Sequence, residues 1–209
     1  MNDPHNCGKK LVAAAGAILL SGTMGLAQMS QQPNGAAGQT AGQNPAMDSQ
    51  MNGMNAPGQP SVMDKMFVRK ALQGGMAEVQ LGQLTLQKSN NDQVKQFAQR
   101  MIDDHTKLGE QMKPVAQQLG ISEPNGISKK DRAAMAKLQT LSGPAYDEAY
   151  IKDMIKDHKQ DLSDFQTEAS SGQDPTVKDA ANQGSKVIAQ HLQMIQQIAK
   201  DQNVNVASK

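Results

Sequence analysis

VKQFAQRMIDDHTKLGEQMKPV, residues 94–115, is the stretch on which the fold turns. Val94, Ala98, Met101, His105, Leu108, Met112 and Val115 recur at alternating steps of four and three, which lays them along one face of a helix. A helix with one such stripe must bury it against others, and this spacing is that of a bundle seam. Ser89-Asn90-Asn91 supplies a turn and an N-cap before it, and Gly120 a stop after it. Pro114 predicts a kink or an early end, because proline removes a backbone donor and crowds the preceding turn.

Working outward, helical period recurs on both sides. Phe67, Ala71, Gly74, Glu78, Leu81 and Thr85 share one face of a preceding helix. Ser128, with Asp131 three residues on, opens a short helix to about Leu141 that Ser142-Gly143 terminates. Pro144 suits the first turn of a long helix whose seam is Asp147, Ile151, Met154, His158, Leu162 and Phe165, ending near Gly172. Asp174-Pro175 starts the last helix, with Val177, Ala181, Gly184, Ile188, His191, Ile195 and Ile198 on one face. No alternating β-branched run is present, so the class is all-α. The expected domain, residues 62–201, is an antiparallel four-helix bundle with one short extra helix in its central connection. Short links join the first pair and the last pair of long helices, and the Gly120–Pro144 link has the length to cross over the bundle.

The flanks read differently. Lys9 and Lys10 precede the apolar run Leu11–Leu20, and Gly25-Leu26-Ala27 follows, so residues 1–27 read as a secretory signal peptide cleaved after Ala27. That run is short of the roughly 20 residues of a membrane span, so the expectation is a periplasmic protein with no transmembrane segment, peripheral to the outer membrane at most. Cys7, the sole cysteine, leaves with the signal, and stability must then come from helix packing. The signal also takes Lys9, Lys10 and Asp3, bringing 21 basic and 20 acidic residues to an even balance. An even balance with two tyrosines, three phenylalanines and no tryptophan offers no basic stripe or stacking platform, which argues against nucleic acid as a partner. Residues 28–61 are rich in Gln, Asn, Gly and Met and read as a disordered linker, and residues 202–209 as a tail. Met47, Met51 and Met54 have the spacing of a thioether site for Cu(I), set against the plainer reading of low-complexity sequence.

Each long helix carries one ionisable residue at the centre of its apolar seam: Glu78, His105, His158 and His191. At about 1.5 Å of rise per residue all four reach the middle of a bundle, where they form a polar layer. Such a layer has two readings. Buried His and Glu can hydrogen-bond one another and fix helix register, or they can bind an iron, zinc or copper ion. Asp147 and Tyr150, on the broad face of His158, are candidate outer partners for a ligating histidine. A local repeat, Met101-Ile102-Asp103-Asp104-His105 against Met154-Ile155-Lys156-Asp157-His158, puts Asp before His twice. Adjacent helical residues point about 100° apart, so Asp104 and Asp157 are expected to face water. The di-iron signature needs Glu three residues before His, and Ile102, Ile155 and Ile188 stand there. No nucleophilic serine motif, cysteine nucleophile or phosphate-binding glycine loop offers an active site, so the expected protein is a non-enzymatic helical bundle.

Glu78-Val79-Gln80-Leu81-Gly82, Phe97-Ala98 with Met101 and Asp104-His105, Tyr146-Asp147 and Tyr150 with Asp157-His158, and His191-Leu192 stand in this order. Together they resemble the bacterial domain-of-unknown-function 4142 family over about Phe67 to Ala199. The resemblance implies a ferritin-like four-helix bundle in the cell envelope and supplies no reaction. The family's outer-membrane label is at odds with the sequence, because a membrane barrel needs many alternating strands.

Overall fold

The computed structural model describes residues 59–206. The expected signal peptide, most of the linker with Met47, Met51 and Met54, and the end of the tail lie outside them. Five helices follow in order: α1 (Val62–Lys88), α2 (Asp92–Gln118), α3 (Lys129–Gln139), α4 (Gly143–Ser171) and α5 (Pro175–Asp201). No strand occurs among the described residues.

Local chemistry sets the ends. Ser61 and Asp64 form a capping box on α1, Asn91 caps α2, Ser128 caps α3 and Asp174 caps α5, each satisfying backbone donors that have no partner within the helix. Gly120 ends α2 with φ +66°, and Ile121 N–H reaches back to the Ala116 carbonyl while Gly120 N–H bonds Gln117, closing a Schellman motif. Asn203 plays the same part after α5 at φ 54°. Pro114 does not end α2, since the helix continues to Gln118. Pro114 is exposed, so the carbonyl it deprives of a donor can turn to water.

The four long helices pack in a ring, α1 on α2, α2 on α5, α5 on α4 and α4 on α1, with α3 against α1 and α4. Thr85 near the end of α1 bonds Tyr146 near the start of α4 at 2.8 Å, while Asp64 at the start of α1 accepts from Gln173 N–H just after α4 at 2.9 Å. α1 and α4 are therefore antiparallel. Gln93 donates to Asp201 at 3.1 Å, which sets α2 antiparallel to α5. The connection carrying α3 thus runs the length of the ring, from the end of α2 to the start of α4, and Lys88 donates to the Gln139 carbonyl at 2.7 Å where it arrives.

Two apolar clusters fill the interior. One contains Phe97, Met101, Tyr146, Tyr150, Ile151 and Ile195, and the other Val68, Leu72, Met112, Val115, Leu119 and Val177. The α5 face is buried as its period predicts. On α1 the first half turns by one residue from expectation: Val68 and Leu72 are buried, while Phe67, Ala71 and Gly74 are half-buried. On α4, Tyr146, Tyr150 and Ile155 join the core, and Asp147, Leu162 and Phe165 are half-buried.

Asp64 is fully buried and joins two elements, since its carboxylate accepts from Ser61 N–H as well as from Gln173. These bonds hold its carboxyl below the usual carboxylate range against the opposing effect of burial. Glu168 stands beside it, and burial, then the neighbouring Asp64, push the Glu168 carboxyl up to about 7. A carboxyl whose folded value is raised contributes stability below its ordinary value of 4.5 and loses it as pH rises towards 7. Glu168→Gln is permanently neutral, so calorimetry is expected to show a higher midpoint than the parent at pH 8 and an equal one at pH 4. A midpoint lowered equally at both values would contradict this.

Candidate metal centre

Between the two apolar clusters lie three histidines from three helices. His105 comes from α2, His158 from α4 and His191 from α5, all buried. Their ring centroids are 5.3 to 6.1 Å apart, and each offers a ring nitrogen within 4.8 Å of those of the other two. Two metal–nitrogen bonds of about 2.0–2.1 Å each place their nitrogens at most about 4.2 Å apart, so 4.8 Å is an outer limit on a separation that an ion would set.

The outer nitrogens of two rings are fixed. His158 Nδ1 bonds the Met154 carbonyl at 3.0 Å, one turn back on α4. A carbonyl only accepts, so Nδ1 carries the proton and Nε2 holds the lone pair. His191 Nε2 bonds Asp104 Oδ2 at 2.8 Å, and Arg100 pairs with that same carboxylate. Nε2 is then the donor and Nδ1 the lone pair. His105 Nε2, His158 Nε2 and His191 Nδ1 are the buried ring nitrogens left without a partner.

Burial opposes charge on all three rings. It lowers His105 to about 3, helped by His191 and His158, and His158 to about 4, helped by His191. Burial also lowers His191, with Asp104 pulling the other way. Near neutral pH the rings are uncharged, the form in which imidazole binds metal. The Arg100 and His191 contacts hold Asp104 below the usual carboxylate range, although its burial acts to raise it.

Glu78 is buried, as its place in the α1 seam predicts, but stands outside the group of nitrogens. Its surroundings are acidic: burial first, then Asp157, Asp161 and Asp131, raise its carboxyl well above the ordinary value. Tyr150 is buried too, and burial with the nearby Glu78 charge raises its phenol. The expected support of a histidine by Asp147 or Tyr150 is corrected here. Neither hydrogen-bonds a histidine, and Asp147 Oδ1 and Tyr150 Oη are themselves buried without a partner. Asp104 and the Met154 carbonyl take those places. Tyr150 instead packs edge-on against Phe97 at 6.2 Å, and Phe97 lies 6.3 Å from both His158 and His191.

Asp104 was expected in water, because its own helix directs it away from His105. It reaches His191 because α5 passes on that side, and sequence spacing within α2 holds no trace of that neighbour. Asp157 is half-buried, pairing with Lys130 at 3.3 Å.

Fold and site together define an all-helical protein with a buried tri-histidine cluster. The chain belongs to the DUF4142 family, described as a domain of unknown function, whose profile matches residues 49–198. No curated protein matches it in sequence. Among solved structures it is similar to a DUF305 protein of Streptomyces coelicolor, provisionally described as secreted, with TM-score 0.60 and 12% identity over 70% of this chain and 98% of that one. A DUF305 fragment from Deinococcus radiodurans has TM-score 0.61 and 17% identity over 68% of this chain and 98% of that one. A two-domain protein of Anabaena variabilis, containing DJ-1/ThiJ/PfpI-like and ferritin-like domains, has TM-score 0.52 and 15% identity over 72% of this chain and 40% of that one. At these identities the likeness is one of fold.

Proposed function

We propose that this chain is an exported protein whose four-helix, ferritin-like bundle binds a single transition-metal ion through His105 Nε2, His158 Nε2 and His191 Nδ1. The observation that carries the reading is that three buried ring nitrogens, one on each histidine, are left unpartnered while the opposite nitrogens of two rings are engaged, and that each histidine offers a nitrogen within 4.8 Å of those of the other two. A purely structural polar layer would pair those nitrogens with one another's protons or with Glu78, and leaving buried acceptors unmade costs about 1–3 kcal/mol each. Imidazole donors suit zinc, copper and iron. The Asp104–His191 contact is the carboxylate–histidine arrangement that orients metal ligands.

The donor set does not fit a di-iron centre, because no carboxylate joins the three nitrogens. With three protein ligands, a bound ion would keep an open position and could act there as a Lewis acid on water or a small ligand. Nothing else in the site supplies a nucleophile, so binding or carriage of the ion is the reading preferred over catalysis.

Export rests on the charged and apolar pattern of residues 1–27 and on the description of the Streptomyces coelicolor neighbour. With it go a linker over 28–61, a bundle over 62–201 and a tail over 202–209. No described helix is long and apolar enough to cross a membrane.

Elemental analysis of the purified protein, with titrations of Fe(II), Zn(II) and Cu(I), tests the reading. One equivalent is expected to bind tightly, His105→Ala to abolish stoichiometric loading, and Asp104→Asn to weaken affinity by about 10–100-fold. A folded protein that binds none of the three ions would return the histidines to the role of contacts fixing helix register.

A further inference from the structure

Beside the histidines a cavity of about 340 Å³ opens between α1, α2, α4 and α5 and the start of α3, a volume at the lower end for small-molecule sites. Its inner wall is apolar: Leu108, Met112, Gly184 and Ile188, with His105 at one end. Glycines hollow it out. A Cβ added at Gly74 or at Gly109 would meet nothing within 4 Å, so the space exists because those helices carry no side chain there.

The outer wall combines two features. Phe67 and Phe165 line it as an edge-on pair with centroids 4.8 Å apart. Around them stand five aspartates and two lysines, and both lysines are already paired, Lys70 with Asp164 and Lys130 with Asp157. Asp161 and Asp179 have no ion-pair partner among the described residues. Burial, then Asp157, push the Asp161 carboxyl up to about 7, so a cation placed there would relieve an unfavourable charge.

We propose that this cavity binds a small organic ammonium ion with an apolar body, its head against Asp161 and the Phe67–Phe165 faces and its body between Leu108, Met112 and Ile188. Aromatic faces with nearby carboxylates are the chemistry that recognises alkylammonium groups. An anion would be repelled by the aspartates, and a hydrated metal ion would gain nothing from the apolar wall. The assignment does not depend on metal at the histidines.

Titration calorimetry of the full chain with hexyltrimethylammonium, hexanol and hexanoate tests it. The ammonium is expected to bind at least tenfold more tightly than the alcohol, and the carboxylate not measurably. Asp161→Asn should weaken ammonium binding about tenfold. Gly74→Leu and Gly109→Leu should abolish it while retaining the parent's helical circular dichroism, since both side chains enter open space and leucine favours a helix over glycine. Equal affinity for the three probes, no ammonium binding at millimolar concentration, or undiminished binding in both glycine variants would overturn the assignment.

Discussion

Zinc at a hundredfold excess over its Kd is expected to raise the unfolding midpoint by roughly 8 °C, and the His158→Phe variant is expected to show no shift. Binding to the folded state alone stabilises by about 2.7 kcal/mol at that excess, and a domain of this size gains about 3 °C per kcal/mol. Removing one of three donors should lower affinity by about two orders of magnitude or more, taking the variant out of the titrated range. The metal-free comparison has the opposite sign. His158 Nε2 is a buried acceptor with no partner, and its ring sits among Phe97, His105 and His191. A phenyl ring of similar shape removes that cost, so the metal-free variant should unfold at or above the parent's temperature. A parent that zinc does not stabilise, or a variant it stabilises equally, would remove the histidines from the metal site. The cluster in this view exchanges metal-free stability for a preformed set of lone pairs.

How far the sequence could be read depended on how local each cause is. The α5 face needed only the 3.6-residue period, and every residue expected on it is buried. Helix ends at Gly120 and Asp174-Pro175 were legible because capping is chemistry within a few residues. The first half of α1 was misjudged because its apolar residues cover a broad arc. Val68 and Leu72 pack into the core, while Phe67, Ala71 and Gly74 turn towards a cavity whose other walls lie on the four other helices.

The site divides in the same way. Three of the four central ionisable residues converge, because equal depth along antiparallel helices places them in one layer. Glu78 is buried but stands outside the cluster, and its electrostatic neighbours are Asp157 and Tyr150 instead. The outer partners were not legible. Asp104 supports a histidine on another helix, and the Met154 carbonyl is a backbone group that no residue pattern advertises.

Phe97→Ala should be the most damaging single truncation in the core, costing about 3–5 kcal/mol in denaturant unfolding. Phe97 is fully buried and belongs to the apolar cluster with Met101, Tyr150 and Ile195. Its ring also touches the polar layer, lying 6.3 Å from His158 and from His191, and 6.2 Å from Tyr150 in an edge-on arrangement. Aromatic pairs of this kind add about 0.5–1.5 kcal/mol to the value of the buried area. Alanine would leave a void against two of the three proposed ligands, and metal affinity should fall with stability even though no donor is lost. Phe97→Leu separates the two effects. It keeps most of the apolar volume, so it should cost less than half as much stability, yet it removes the flat face that positions the His158 and His191 rings. A metal affinity that follows stability alone across both variants would make Phe97 a core residue only. An affinity loss in Phe97→Leu out of proportion to its stability would show that the aromatic wall sets ligand orientation, and that the core and the candidate metal centre are one packed structure.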